Sequence, residues 1–227
     1  MERFFRDRGA SLGTVVLIVA VICFSQTIIS YTITFGALRH SMPRDTPPEV
    51  TSLIVVRVGI LAVLVALWTL KYKRALFRFI IIANALCTLA LLVHTNALLA
   101  VLFGSTSLAI HELMFDVMQM AISNVLIFSI WYWIIDPPGV GEIPRANEPW
   151  EFLFPQRGSN LPHYDSWVPQ YSDYLFVAFT TSLTFSPADA PPLSRRAKML
   201  MLLQATISIV TLTGIAGSAI NILAGAE

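Results

Sequence analysis

Five apolar runs, at residues 11–35, 52–70, 77–103, 108–135 and 199–223, constrain the fold of this chain more than any other feature of its sequence. A helix needs about 20 apolar residues to cross the hydrocarbon core of a bilayer. Inside that core every backbone polar group must be bonded within its own segment, which leaves helices as the form for such runs. The expected fold is therefore all-α, a polytopic membrane helix bundle of five transmembrane helices plus one re-entrant half-helix at 174–186. Composition points the same way: 56% of residues are hydrophobic and 13% charged, against roughly 45–50% apolar in soluble domains. The first run follows Arg3, Arg6 and Arg8 as a signal peptide would. It is too long for one and no small-residue cleavage site follows, so it reads as a retained anchor.

Loop charges orient the bundle. Arg3, Arg6 and Arg8 precede the first run and Lys71, Lys73, Arg74 and Arg78 lie between the second and third, whereas the turn Gly104-Ser105-Thr106-Ser107 carries no charge. The excess of basic residues places the N terminus in the cytoplasm, in a multi-pass protein of the cell (plasma or inner) membrane. Five spans then put the C terminus outside and the connection 136–173 in the cytoplasm. Trp68 at the end of the second run, and Trp131, Tyr132 and Trp133 at the end of the fourth, suit the aromatic belt of one membrane face. The connection is rich in Pro and Gly but also carries Trp150, Phe152, Leu153, Phe154 and Trp167. A solvated linker has no use for so many aromatics, so this segment is expected along the interface or packed under the bundle.

The motifs of enzymes are missing: there is no G-x-S-x-G, no phosphate-binding loop and no C-x-x-C. His111-Glu112 opens like a zinc motif, but Phe115 stands where the second histidine ligand belongs, so no metal site, no cofactor and no catalytic residue are expected. A net charge of +1 without a basic stripe excludes a nucleic-acid surface. Cys23 and Cys87 both fall in apolar runs and read as buried thiols rather than a disulfide framework.

Residues 174–184 are too short to span as a helix and stop before Pro187. Ser172 or Asp173 is placed to cap the start. The order of span, loop, short helix, polar turn and long final helix resembles the pore module of the potassium-channel superfamily, and most closely a group of prokaryotic membrane proteins described as ion-channel-like. Thr180 and Thr181 match the Thr-Thr pair that leads into the channel filter, and Pro192, Leu193 and Arg195 match the Pro-Leu-x-Arg that follows it. Ser182, Leu183, Thr184, Phe185 and Ser186 stand where the filter has Val-Gly-Tyr-Gly-Asp. Glycine permits backbone angles that a residue with a Cβ resists, so Leu183 and Phe185 argue against a potassium-selective filter. The resemblance implies an N-terminal three-helix region at 1–106 and a pore-module-like region at 107–227. The latter divides into an outer helix at 108–135, an interfacial loop at 136–173, a half-helix at 174–186 and a final helix at 195–224.

Two further patterns bear on function. On the final helix Gln204, Ser208, Thr211, Gly214 and Ser218 recur on one face. Such a stripe either lines water or, through Gly214-x-x-x-Ser218, lets helices pack closely. Within the spans Arg57, His94, Glu112 and Asp116 fall at similar depths in one leaflet. Charges there are expensive, so Arg57 is expected to pair with Glu112 or Asp116, either as a proton or cation relay or as a fixed ion pair. Asn84, Thr88, Gln26 and Ser30 read as interhelical hydrogen bonders. The sequence thus leads to a membrane protein like a pore-loop ion channel, permeable to monovalent ions without potassium selectivity and assembled as a homo-oligomer in the lipid bilayer. The alternative is a non-conducting protein that keeps a channel-like fold for assembly or partner interaction.

Overall fold

The computed structural model describes residues 13–24, 48–103, 110–136, 150–158, 167–184 and 190–224. Among the described residues seven helices follow in chain order: α1 (Gly13–Phe24), α2 (Pro48–Thr69), α3 (Lys73–Phe103), α4 (Ile110–Ile135), α5 (Pro155–Gly158), α6 (Tyr171–Thr184) and α7 (Arg195–Ala224). Among the described residues there is no strand, only an isolated antiparallel bridge between Phe152 and Pro192. Among the described residues three helical stretches are long and apolar enough to cross a membrane, Arg74–Leu99, Met114–Ile135 and Arg195–Gly217, which fits an integral membrane protein. The apolar stretches Gly13–Phe24 and Val55–Thr69 are shorter. Beyond Phe24, the first expected span lies outside the described residues.

The side chains of α3 show which solvent this fold suits. Ile82, Leu86, Leu89 and Val93 recur at helical spacing and are exposed, while Asn84, His94 and Thr95 are buried with Ile80, Cys87 and Leu91. The same inversion recurs on α7, where Met199, Leu202, Ile209 and Ile220 are exposed and Gln204, Ser208 and Thr211 are buried. Water would penalise such a surface, whereas lipid favours it. Polar side chains turn inward because hydrocarbon offers them no partner.

Local chemistry sets the helix ends. α2 closes with the bonds of a Schellman turn: Tyr72 N–H donates to Leu67 C=O at 3.2 Å and Lys71 N–H to Trp68 C=O at 3.1 Å. Lys71 occupies the left-handed position with φ 58°, a place that glycine usually takes. Ser194 caps α7, its Oγ accepting from Ala197 N–H at 3.1 Å. The helix expected to begin at 174 starts earlier, at Tyr171, and is described as far as Thr184. Its start lies earlier because Asp173 acts from inside the first turn, accepting from Gln170 N–H at 2.6 Å, the backward half of a capping box.

The chain forms two compact units, Met1–Leu17 with Val125–Thr206, and Ile18–Asn124 with Ile207–Glu227. The first contains α5, α6 and the segment around Phe152; the second contains α2 and α3. Within the second unit α2 packs on α3, and Gly214 of α7 meets Leu98 and Val117.

Candidate functional site

A dense cluster of polar chemistry lies in the first unit, around a carboxylate that sequence reasoning did not single out. Asp136 follows the last residue of α4, its N–H donating to Tyr132 C=O at 3.2 Å. Its side chain is fully buried and forms an ion pair with Arg157 of α5 at 2.8 Å, the two side chains being 0% and 2% exposed. Tyr174 Oη donates to Asp136 Oδ2 at 2.6 Å, and Glu151 N–H donates to Oδ1 at 3.0 Å. Both carboxylate oxygens therefore have donors. Arg157 is held in turn: one guanidinium N–H reaches Phe152 C=O at 3.4 Å, and the plane lies 5.3 Å from the Trp150 ring centre and 5.5 Å from that of Phe154.

The aromatic residues of the connection form the walls of this site. Phe152 sits edge-on to Tyr132 at 5.1 Å and to Tyr174 at 6.4 Å. Phe154 is edge-on to Tyr174 at 5.6 Å and packs with Trp167 at the same distance. Backbone bonds tie the segment to the start of α7: Leu193 N–H donates to Glu151 C=O at 2.8 Å and Leu153 N–H to Pro191 C=O at 3.1 Å. Ser194 Oγ also bonds the Glu151 carboxylate. The residues expected as an interfacial loop at 136–173 thus include a segment, 150–158, folded into the helices. The sequence signal was the aromatic content; the ion pair itself had no local signature.

What this arrangement does chemically follows from its closure. A proton relay needs an acceptor with a free lone pair and a route to water. Asp136 has guanidinium, phenol and amide donors around it inside an aromatic shell. The geometry is that of a clasp. Beside it lies a hollow of about 280 Å³ lined by Phe154, Pro155, Gln156, Asp173, Phe176, Val177 and Ala190. Burial raises the Asp173 carboxyl above its ordinary range, and its bond from Gln170 N–H opposes that shift. Among the described residues no group of three His, Cys, Asp or Glu side chains could hold a metal ion.

The channel-like positions fall as follows. Thr180, Thr181, Ser182, Leu183 and Thr184 all lie within α6. The helix thus continues through the places where a filter would expose its carbonyls in an extended strand; Phe185 and Ser186 lie outside the described residues. Thr180 Oγ1 bonds the carbonyls of Phe176 and Val177 in its own helix at 3.0 and 3.1 Å. Thr181 and Ser182 are buried and Leu183 is exposed.

The polar stripe of α7 is turned against other helices. In the first unit Gln204, 0% exposed, accepts from Tyr132 Oη through its Oε1 and donates to Ala178 C=O at 2.8 Å. In the second unit Asn124 donates to Ser208 Oγ at 2.8 Å, and Thr211 bonds the carbonyls of Ile207 and Ser208 at 3.1 and 2.9 Å. The side chain of Ser218 lies outside the described residues. At Gly214 an added Cβ would stand 3.2 Å from Leu98 Cδ2 and 3.3 Å from Val117 Cγ2, both side-chain atoms that shift by a few tenths of an ångström. Alanine also gains about 1 kcal/mol of helix propensity over glycine, so Gly214→Ala is expected to stay within about 1 kcal/mol of wild type. Gly214→Leu overfills the contact and is expected to cost about 1–3 kcal/mol. Thermal unfolding of the two variants in detergent checks this contrast.

Of the intramembrane charge cluster, Arg57, His94 and Asp116 all lie in the second unit, with His94 and Asp116 buried. Arg57 on α2 is half-buried. The Glu112 side chain is outside the described residues. Comparison with family models, with curated proteins and with solved structures finds no match to this chain.

Proposed function

We propose that this chain is a five-span membrane protein, N terminus in the cytoplasm of the cell membrane, whose pore-module-like region serves as a packed scaffold and conducts no ions. The observation that carries this reading is the fate of the α7 stripe. Gln204 and Ser208 bond to side chains of the same chain, and Gly214 is in close contact with Leu98 and Val117. The opposite face of α7 offers no substitute. It exposes Met199, Leu202, Ile209 and Ile220, and the hydroxyls of Thr206 and Thr213 on it donate to carbonyls of their own helix at 2.9 and 2.8 Å. A water-filled path needs polar groups that face the water. The helical course of α6 through Ser182–Thr184 supports the same reading.

Under this proposal the channel resemblance describes architecture, and lipid and neighbouring helices are the partners. The competing reading is permeation of monovalent ions through a homo-oligomer. Its support is the burial of Asp116 and His94 in apolar helices, since ionisable groups inside a membrane often mark ion or proton routes. Accessibility separates the two. Cysteine placed at Ser208 or Thr211 is expected to stay unlabelled by a membrane-impermeant methanethiosulfonate in intact vesicles from either side. Rapid labelling at both positions would overturn the scaffold reading.

A further inference from the structure

The hollow beside the clasp, about 280 Å³ and lined in part by Phe154, Gln156, Asp173 and Phe176, falls just below the roughly 300–1,000 Å³ of most ligand pockets. It suits a small polar group. Its polar side chains are acceptors short of donors. Gln156 Oε1 is buried without a hydrogen-bond partner, and the terminal torsion of glutamine is soft enough to turn that oxygen toward a donor entering the hollow. Asp173 Oδ2 accepts from Gln170 N–H at 2.6 Å, a neutral donor that leaves the carboxylate charge unmatched. Among the described residues no cation pairs with Asp173, and Arg157, 5.5 Å from the Phe154 ring, is committed to Asp136. Acceptors and an unmatched negative charge call for an ammonium group with N–H bonds to give, and the phenyl rings of Phe154 and Phe176 suit the same charge.

The surface next to the hollow points to the source of that ammonium. Phe176, on its wall, is 50% exposed, and Phe179 and Leu183 follow at helical spacing on α6, each 52% exposed. In a membrane protein an exposed apolar ridge of this kind lies against lipid tails. We infer that the hollow binds a phospholipid with a primary ammonium headgroup, of the phosphatidylethanolamine type, the ammonium donating to the Asp173 carboxylate and Gln156 Oε1 and an acyl chain lying along Phe176, Phe179 and Leu183. A choline headgroup carries the same charge but has no N–H, so it leaves both acceptors unsatisfied. The site therefore selects by hydrogen bonding rather than by charge.

The test uses the full-length protein purified in detergent and mixed with equal amounts of dioleoyl-phosphatidylethanolamine and dioleoyl-phosphatidylcholine, the bound lipid being counted by native mass spectrometry. The expected result is a severalfold preference for the ethanolamine lipid, falling toward parity in Asp173→Asn and weakening in Gln156→Leu. Asparagine still offers an oxygen to Gln170 N–H, so the cap survives, and thermal unfolding in the same detergent shows that the variant is folded. If Asp173→Asn does not fold, Gln156→Leu decides in its place. Equal binding of the two lipids in the wild type, or a preference unchanged in the deciding variant, would overturn the inference. Soluble phosphoethanolamine at the lipid concentration should leave the lipid adducts in place, and displacement by it would overturn the assignment to a lipid. None of these outcomes depends on whether the protein conducts ions.

Discussion

Arg157→Leu is expected to destabilise the protein by about 3–5 kcal/mol, the usual result of removing one partner from a buried ion pair. The cause is the carboxylate left behind. Asp136 is fully buried, and Tyr174 Oη and Glu151 N–H are neutral donors that do not balance its charge. Asp136→Leu strands the guanidinium in the same way beneath Trp150 and Phe154. The double variant removes both charges, so it is expected to be more stable than either single variant and to show a coupling well above 1 kcal/mol. Arg157→Lys keeps the charge but loses the planar fork and the ring stacking, and should fall between wild type and leucine. For a chain of this size the single variants translate into a fall in Tm on the order of 10 °C, measured by tryptophan fluorescence in detergent, to which Trp150 is well placed to contribute. Additive losses would mean that the two residues act independently.

Gln204→Leu is the second large effect. Gln204 completes two bonds at once, from Tyr132 Oη and to Ala178 C=O. Leucine leaves a buried hydroxyl and a buried carbonyl without partners, at about 1–3 kcal/mol for each orphaned group. Tyr132→Phe added to Gln204→Leu removes one of those orphans, so the double variant is expected to recover part of the loss. Thermal unfolding in detergent checks both. The outcome also bears on function, because a glutamine that faced a water-filled pore would accept leucine with little loss of stability.

Different parts of this molecule were legible in the sequence for different physical reasons. The spans α3, α4 and α7 follow from run length, because a bilayer sets a minimum length that composition displays directly. Helix α6 was legible as a short apolar segment ahead of Pro187, although its start moved to Tyr171 because Asp173 caps from the third helical position. The Asp136–Arg157 clasp was not legible. Asp136 opens a connection without periodicity and Arg157 lies inside it, so spacing places neither at a depth or on a face. Charges on helices are easier to place, which drew attention to Arg57, His94, Glu112 and Asp116 instead. The useful clue was Trp150, Phe152 and Phe154 just ahead of Arg157: an aromatic segment folds inward, and a cation carried in with it requires an anion. The α7 stripe was visible in the sequence, but periodicity alone leaves a face toward water and a face toward other helices indistinguishable.

Ion flux into liposomes that contain only the purified protein tests the scaffold reading most directly. Uptake of potassium and sodium under an imposed gradient is expected to match protein-free vesicles, with the protein shown to be folded by its unfolding transition in the same lipid. Protein-dependent uptake that changes in Gln204→Leu or Ser208→Ala would contradict it, and would make the α7 stripe the wall of a pore.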